Sequence, residues 1–123
     1  MRIKDFKELD CWIKSRELVN VIYKVTHNDR FSRDFGLKDQ IRRAAVSVMS
    51  NIAEGFGTSS DADFARYLSI SVRSAYEVES QLFIALDQNY ITSDEFDRLV
   101  LLLEATTSLT KGLIRYLRRG TKT

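Results

Sequence analysis

The chain has 123 residues, enough to bury one hydrophobic core and too few for two full domains. Its 44% hydrophobic and 29% charged residues are ordinary for a globular fold and exclude a disordered or fibrous chain. Proline is absent and glycines number 5, which argues against an all-β domain with its many turns, and the net charge of +2 is too small to mark a nucleic-acid binder by itself.

The amino terminus, Met1-Arg2-Ile3-Lys4-Asp5, lacks the apolar core of a signal peptide, and the single Cys11 cannot form an intramolecular disulfide, so a cytoplasmic protein is expected. No apolar run is long enough to cross a membrane. From Leu9 to Thr26, apolar residues at Leu9, Trp12, Ile13, Val19, Ile22 and Tyr23 recur every three or four positions and predict a first helix over 9–26. The stripe fades at His27-Asn28-Asp29-Arg30, and a loop is expected to Gly36. A second helix is predicted over 37–56 from the stripe Leu37, Ile41, Ala44, Ala45, Val48, Ile52 and Phe56, with Gly55 and Gly57 as a left-handed cap. Ser60 or its neighbours can cap a third, over 62–88, in which Phe64, Leu68, Ser71, Ala75, Val78, Leu82 and Leu86 follow a seven-residue repeat. Thr92 and Glu95 have the spacing of a capping box that opens a fourth, over 93–118.

Four helices with short connections predict an all-α, antiparallel up-and-down four-helix bundle occupying residues 1–123 as a single domain. The last helix carries two apolar stripes, one through Leu99, Leu102, Leu109, Leu113 and Tyr116 and one through Phe96, Val100, Leu103, Ile114 and Leu117. A single core needs one stripe, so the second is either part of a wide interior face or buried between subunits.

The chemistry that the chain lacks is informative. His27 is the only histidine and lies in a predicted loop, far from Cys11, so a Cys-His nucleophile is not expected; Cys11 reads as a small buried hydrophobe. Glu77, Glu79 and Asp87 are the nearest approach to a magnesium-holding cluster, but Glu77 and Glu79 are two positions apart and point different ways. No glycine-rich phosphate loop is present. No catalytic residue, cofactor or metal ligand is therefore expected, and the chain is read as a non-enzyme. Its charges are unevenly placed: Lys111, Arg115, Arg118, Arg119 and Lys122 occur in the last 13 residues with no carboxylate among them. They either complement the dipole of a helix end or form an anion-binding surface.

One stretch carries a resemblance. Phe35-Gly36-Leu37, then Gln40-Ile41-Arg42-Arg43-Ala44-Ala45, then Asn51-Ile52-Ala53-Glu54-Gly55 occur in the order found in a family of small bacterial proteins encoded in intervening sequences of 23S ribosomal RNA genes, also called the S23 ribosomal protein family. The Leu9, Trp12 and Ser15 spacing and Phe64, Tyr67, Leu68, Glu77, Glu79, Gln81 and Leu82 extend the resemblance over nearly the whole chain. The chain departs from the family's usual pattern at Met49 and after Phe31, where proline is common, and at Arg73, where glycine is common. The resemblance implies a four-helix bundle that assembles into a ring-like homopentamer, similar to the accessory protein of diversity-generating retroelements, which binds nucleic acid and a reverse transcriptase.

Arg42 and Arg43 are about 100° apart on a helix, so one is expected to face the seam and pair with a carboxylate such as Glu54, Glu77 or Glu79. Asn51 and Glu54 are expected to satisfy groups on the following helix. Three functional classes stay open on these residues. The first is an oligomeric, non-enzymatic adaptor that contacts RNA or DNA phosphates through Lys38, Arg42, Arg43, Lys111, Arg115, Arg118 and Arg119. The second is a scaffold that binds another protein and no nucleic acid, and the third is a magnesium-dependent nucleotide hydrolase.

Overall fold

The computed structural model describes residues 1–120; Lys122 lies outside them. Among the described residues a 3-10 turn, Phe6–Glu8, is followed by α1 (Asp10–Val25), α2 (Asp29–Arg33), α3 (Phe35–Phe56), α4 (Asp61–Asp87) and α5 (Ser93–Gly120), with no strand. The four long helices begin and end within two residues of the predicted spans. The expected loop instead contains α2, a single turn capped by Asn28, whose side chain accepts a hydrogen bond from the Phe31 amide at 2.8 Å.

Side-chain caps place the other starts. Asp34 accepts from the Leu37 amide at 3.1 Å and draws the start of α3 back to Phe35, while Ser60 accepts from the Asp63 amide at 3.1 Å at the head of α4. The Thr92–Glu95 capping box forms in both directions, at 2.8 and 3.1 Å. The end of α3 differs from expectation: its cap Gly57 has φ −78°, and among the described residues the only non-glycine with positive φ is Asn89, at 60°. Asn89 closes α4. Its amide bonds the Leu86 carbonyl at 3.0 Å and the Tyr90 amide bonds the Ala85 carbonyl at 2.8 Å, the paired bonds of a Schellman motif.

The helices pack in the cyclic order α1, α3, α4, α5, and each neighbour runs antiparallel to the next. Gln40 meets Gln81 at one end of the α3–α4 pair and Gly55 meets Phe64 and Tyr67 at the other; Phe96 meets Phe83 while Lys111 meets Tyr76 across α4–α5. The result is the up-and-down bundle that the seven-residue repeat predicted.

The core has two clusters along the bundle axis. One gathers Leu18, Ile22, Phe31, Ile41, Val78, Leu82, Leu99 and Leu103; the other gathers Leu9, Cys11, Ile52, Phe64, Leu68, Ile114 and Leu117. Between them α1, α4 and α5 bury hydroxyls. Ser15 donates to the Trp12 carbonyl at 2.7 Å, Ser71 crosses to the Val48 carbonyl at 2.7 Å, and Thr106 and Thr110 each donate one turn back at 2.7 Å. Every one of these small polar groups is satisfied, so burial costs little and the helices can approach closely.

The hydroxyls also explain two shifted stripes. The buried line of α1 is Cys11, Ser15, Leu18, Ile22 and Val25, leaving Ile13 and Tyr23 exposed, because Ser15 occupies an interior position that hydropathy assigns to the surface. On α5 the buried line is Leu99, Leu103, Thr106, Thr110, Ile114 and Leu117, which takes members from both predicted stripes and leaves Leu101, Leu109 and Tyr116 exposed.

Candidate nucleic-acid interface

The last carboxylate of the chain is Glu104, and the outward face of α5 beyond it carries Lys111, Arg115, Arg118 and Arg119, all exposed. Cations at the end of a helix are favoured by the partial negative charge of its unpaired carbonyls, so this placement is locally stable. The neighbouring helix adds to it. Lys111, Arg115 and Arg118 line a cavity of about 280 Å³ against Ser69, Val72 and Ile114, in the groove between α4 and α5. The groove continues into a second cavity of about 420 Å³, where Arg66 and Arg73 of α4 face Arg118 and Leu117.

Arg66 and Arg73 are seven positions apart, two helical turns, and so lie on one face of α4. Neither was selected from sequence. Their spacing was legible, but which helix they would face depends on the tertiary pairing of α4 with α5. Arg66 lies 4.9 Å from the Tyr67 ring centre and 3.8 Å from Asp63, a long contact between exposed groups. The Lys111 ammonium donates to the Tyr76 hydroxyl at 2.7 Å and sits 5.3 Å from its ring centre, which fixes an exposed aromatic at the groove's edge.

The cations of α3 occupy the opposite side of the bundle. Arg42 is half-buried: its Nε donates to Thr26 Oγ1 at 2.8 Å and its guanidinium stacks 4.4 Å from the Tyr23 ring centre. Arg43 is exposed and pairs at 2.8 Å with Asp39, one turn back on the same helix, rather than with Glu54, Glu77 or Glu79. Lys38 lies 5.1 Å from the ring centre of Phe35. Arg42 and Arg43 line an open cleft with Tyr23, Val46 and Ser47 between α1 and α3. The structure thus splits the seven sequence-selected cations into two surfaces: a densely basic one on α5, joined by α4, and one on α3 whose two arginines are already engaged within the fold.

Other expectations resolve locally. The Asn51 amide stays on its own helix, donating to the Ser47 carbonyl at 2.8 Å and Oγ at 3.0 Å, and reaches α4 only through the Ser47–Ser74 hydroxyl pair at 2.8 Å; Glu54 is exposed. Cys11 is buried, and burial pushes its thiol up to about 11, well away from the thiolate a nucleophile requires; His27 is exposed beyond α1. Glu77 accepts from Gln81 at 3.2 Å, and among the described residues no three ligating side chains converge on a metal-sized site. No described helix is long and apolar enough to cross a membrane.

No curated protein matches the chain. Among solved structures it is similar to a protein of unknown function of the S23 ribosomal protein family from Bacteroides thetaiotaomicron, with 25% identity, a TM-score of 0.78, and coverage of 85% of this chain and 95% of that one. The family model of the 23S rRNA-intervening sequence protein matches residues 7–112, a span that takes in α1, α3, α4, the part of α5 up to Gly112 and the motif from Phe35 to Gly55. The chain belongs to the 23S rRNA-intervening sequence protein family.

Proposed function

We propose that the chain is a cytoplasmic, non-enzymatic, oligomeric adaptor that binds RNA through its phosphate backbone. The observation that carries this reading is the cationic groove of α4 and α5, where Arg66, Arg73, Lys111, Arg115 and Arg118 gather on a chain of almost neutral net charge. Contacts of this kind position a polyanion without reading its sequence. Self-association into a ring, up to a pentamer, is supported by the large apolar side chains exposed on α4 and α5, among them Phe83, Leu101 and Tyr116 at 50%, 65% and 52% exposure.

Salt-dependent binding tests the reading. Affinity for a mixed-sequence RNA, followed by filter retention, is expected to fall linearly on a log-log plot against salt as condensed counterions are released. Charge reversal at Arg115 and Arg118 is expected to weaken it. Absence of binding at low salt to RNA, single-stranded DNA and duplex alike removes the proposal. The exposed apolar face favours a second reading, a scaffold for another protein. In that case a partner's affinity responds to Leu101→Glu and is indifferent to the α5 charges.

A further inference from the structure

Taking the nucleic-acid reading one step further, we infer that the α4–α5 groove holds a single strand rather than a duplex, with phosphates against its cationic walls and a base stacked on Tyr76. The walls are Arg66 and Arg73 on α4 and Lys111, Arg115 and Arg118 on α5. Each spans seven residues, about 10 Å of helix rise. Val72, Ile114 and Leu117 lie between them but are buried in the core, so the exposed stacking group of the groove is Tyr76 at its edge.

The exposed Tyr76 ring decides between the two forms. Packed helices lie about 8–10 Å apart, so the furrow between them is narrow. A duplex has its bases stacked inside and presents only phosphates to such a surface, leaving the Tyr76 ring in water. A single strand presents both chemistries at once, because every base has an apolar face that stacks on aromatic or aliphatic groups. Tyr76 supplies the aromatic: it is 51% exposed, and Lys111 pins its hydroxyl at 2.7 Å, so the ring is held in place before a base arrives. Two carboxylates limit the cationic wall at the head of α4: Asp61 lines the cavity and is exposed, and the 3.8 Å contact of Asp63 with Arg66 is long and solvent-exposed, so a phosphate competes with it readily.

Fluorescence anisotropy of the full chain with a labelled oligouridylate of about 12 nucleotides, and with an RNA duplex of equal length, tests this; the length lies within the range one binding unit covers. The single strand is expected to bind at least about tenfold more tightly than the duplex. With about three phosphates held along a groove of this length, its affinity falls about 20-fold between roughly 50 and 200 mM salt. Arg66→Glu with Arg73→Glu, both on the surface, is expected to weaken binding by at least about tenfold, and loss of two contacts lowers the slope against salt by about 1.4. Tyr76→Ala weakens binding about tenfold, while Tyr76→Phe, which keeps the ring and loses only the Lys111 bond, weakens it by less, the mark of stacking. Arg43→Glu, on the opposite side, leaves it unchanged.

Equal affinity for the duplex, or an Arg43→Glu effect as large as that of the α4 pair, overturns the groove assignment and leaves nucleic-acid binding standing. Failure of both probes to bind at low salt, including the case in which an acidic amphipathic peptide takes the groove instead, overturns both.

Discussion

Gly55 and Gly112 both lie inside long helices, yet a methyl group added at each meets a different fate. At Gly55 it would come within 2.8 Å of Tyr67 Cβ, 2.9 Å of a Phe64 ring carbon and 3.3 Å of the Phe64 carbonyl. Two of these atoms belong to, or are fixed to, the α4 backbone, so relief requires α3 to move away from α4. Overpacking of this kind costs about 1–3 kcal/mol. Replacing a mid-helix glycine returns about 1 kcal/mol of helix propensity. The packing cost wins, and Gly55→Ala is expected to destabilise the fold by up to about 2 kcal/mol. At Gly112 the nearest atom is the flexible end of Arg115 at 3.8 Å, so only the propensity gain applies and Gly112→Ala is expected to stabilise by about 0.5–1 kcal/mol. Urea unfolding followed by circular dichroism should move the two midpoints in opposite directions; a gain from both would show that α3 and α4 do not approach closely at Gly55. The sequence could not separate these roles. Two glycines bracketing Phe56 look like a helix end, and the close approach becomes visible only once Tyr67 is known to lie opposite.

At the scale of elements, boundaries were legible where they are written in local chemistry: Ser60 and the Thr92–Glu95 pair are short-range hydrogen-bonding signals that need no tertiary partner, whereas the Asp34 cap starts α3 ahead of the apolar stripe that begins at Leu37. Facing was less legible. Ser15, Thr106 and Thr110 stand at interior positions, and their hydroxyls are satisfied by carbonyls of their own helices, so a polar residue that costs almost nothing inside was assigned to the outside. The turn after α4 was recognised as a break without its mechanism. Asn89 holds φ 60°, and α2 locks onto the same turn: the Asn28 amide donates to the Tyr90 carbonyl at 3.0 Å, and the Tyr90 hydroxyl donates to Asp34 at 3.0 Å. A left-handed conformation costs an ordinary L-residue about 1–2 kcal/mol and a β-branched one at least as much, while glycine adopts it freely. Asn89→Val is therefore expected to lower stability by at least about 1 kcal/mol, and Asn89→Gly to leave it within about 0.5 kcal/mol of the parent. Thermal melts of the two variants check this; a valine tolerated as well as glycine would show that the turn does not depend on the left-handed residue.

For the whole molecule, the question is what covers the apolar residues that the bundle leaves outside. Leu101, Leu109 and Tyr116 stand eight and seven positions apart on α5 and share its outward face, exposed at 65%, 39% and 52%. Burying three such side chains contributes on the order of 5 kcal/mol per copy. Association sacrifices about 4–15 kcal/mol of translational and rotational freedom, so this face alone does not hold two subunits together firmly. Phe83 and Ile84 on α4, 50% and 47% exposed, would add to the area available to the ring of copies proposed above. Light scattering is expected to give a mass that is a multiple of the 14.2 kDa chain. Leu101→Glu combined with Phe83→Glu changes exposed positions, so the helical circular dichroism should persist while the mass falls toward that of one chain. A parent protein that is already monomeric at micromolar concentration would remove self-association. The adaptor reading would then rest on the cationic groove of a single bundle, with these apolar residues left to contact a different protein.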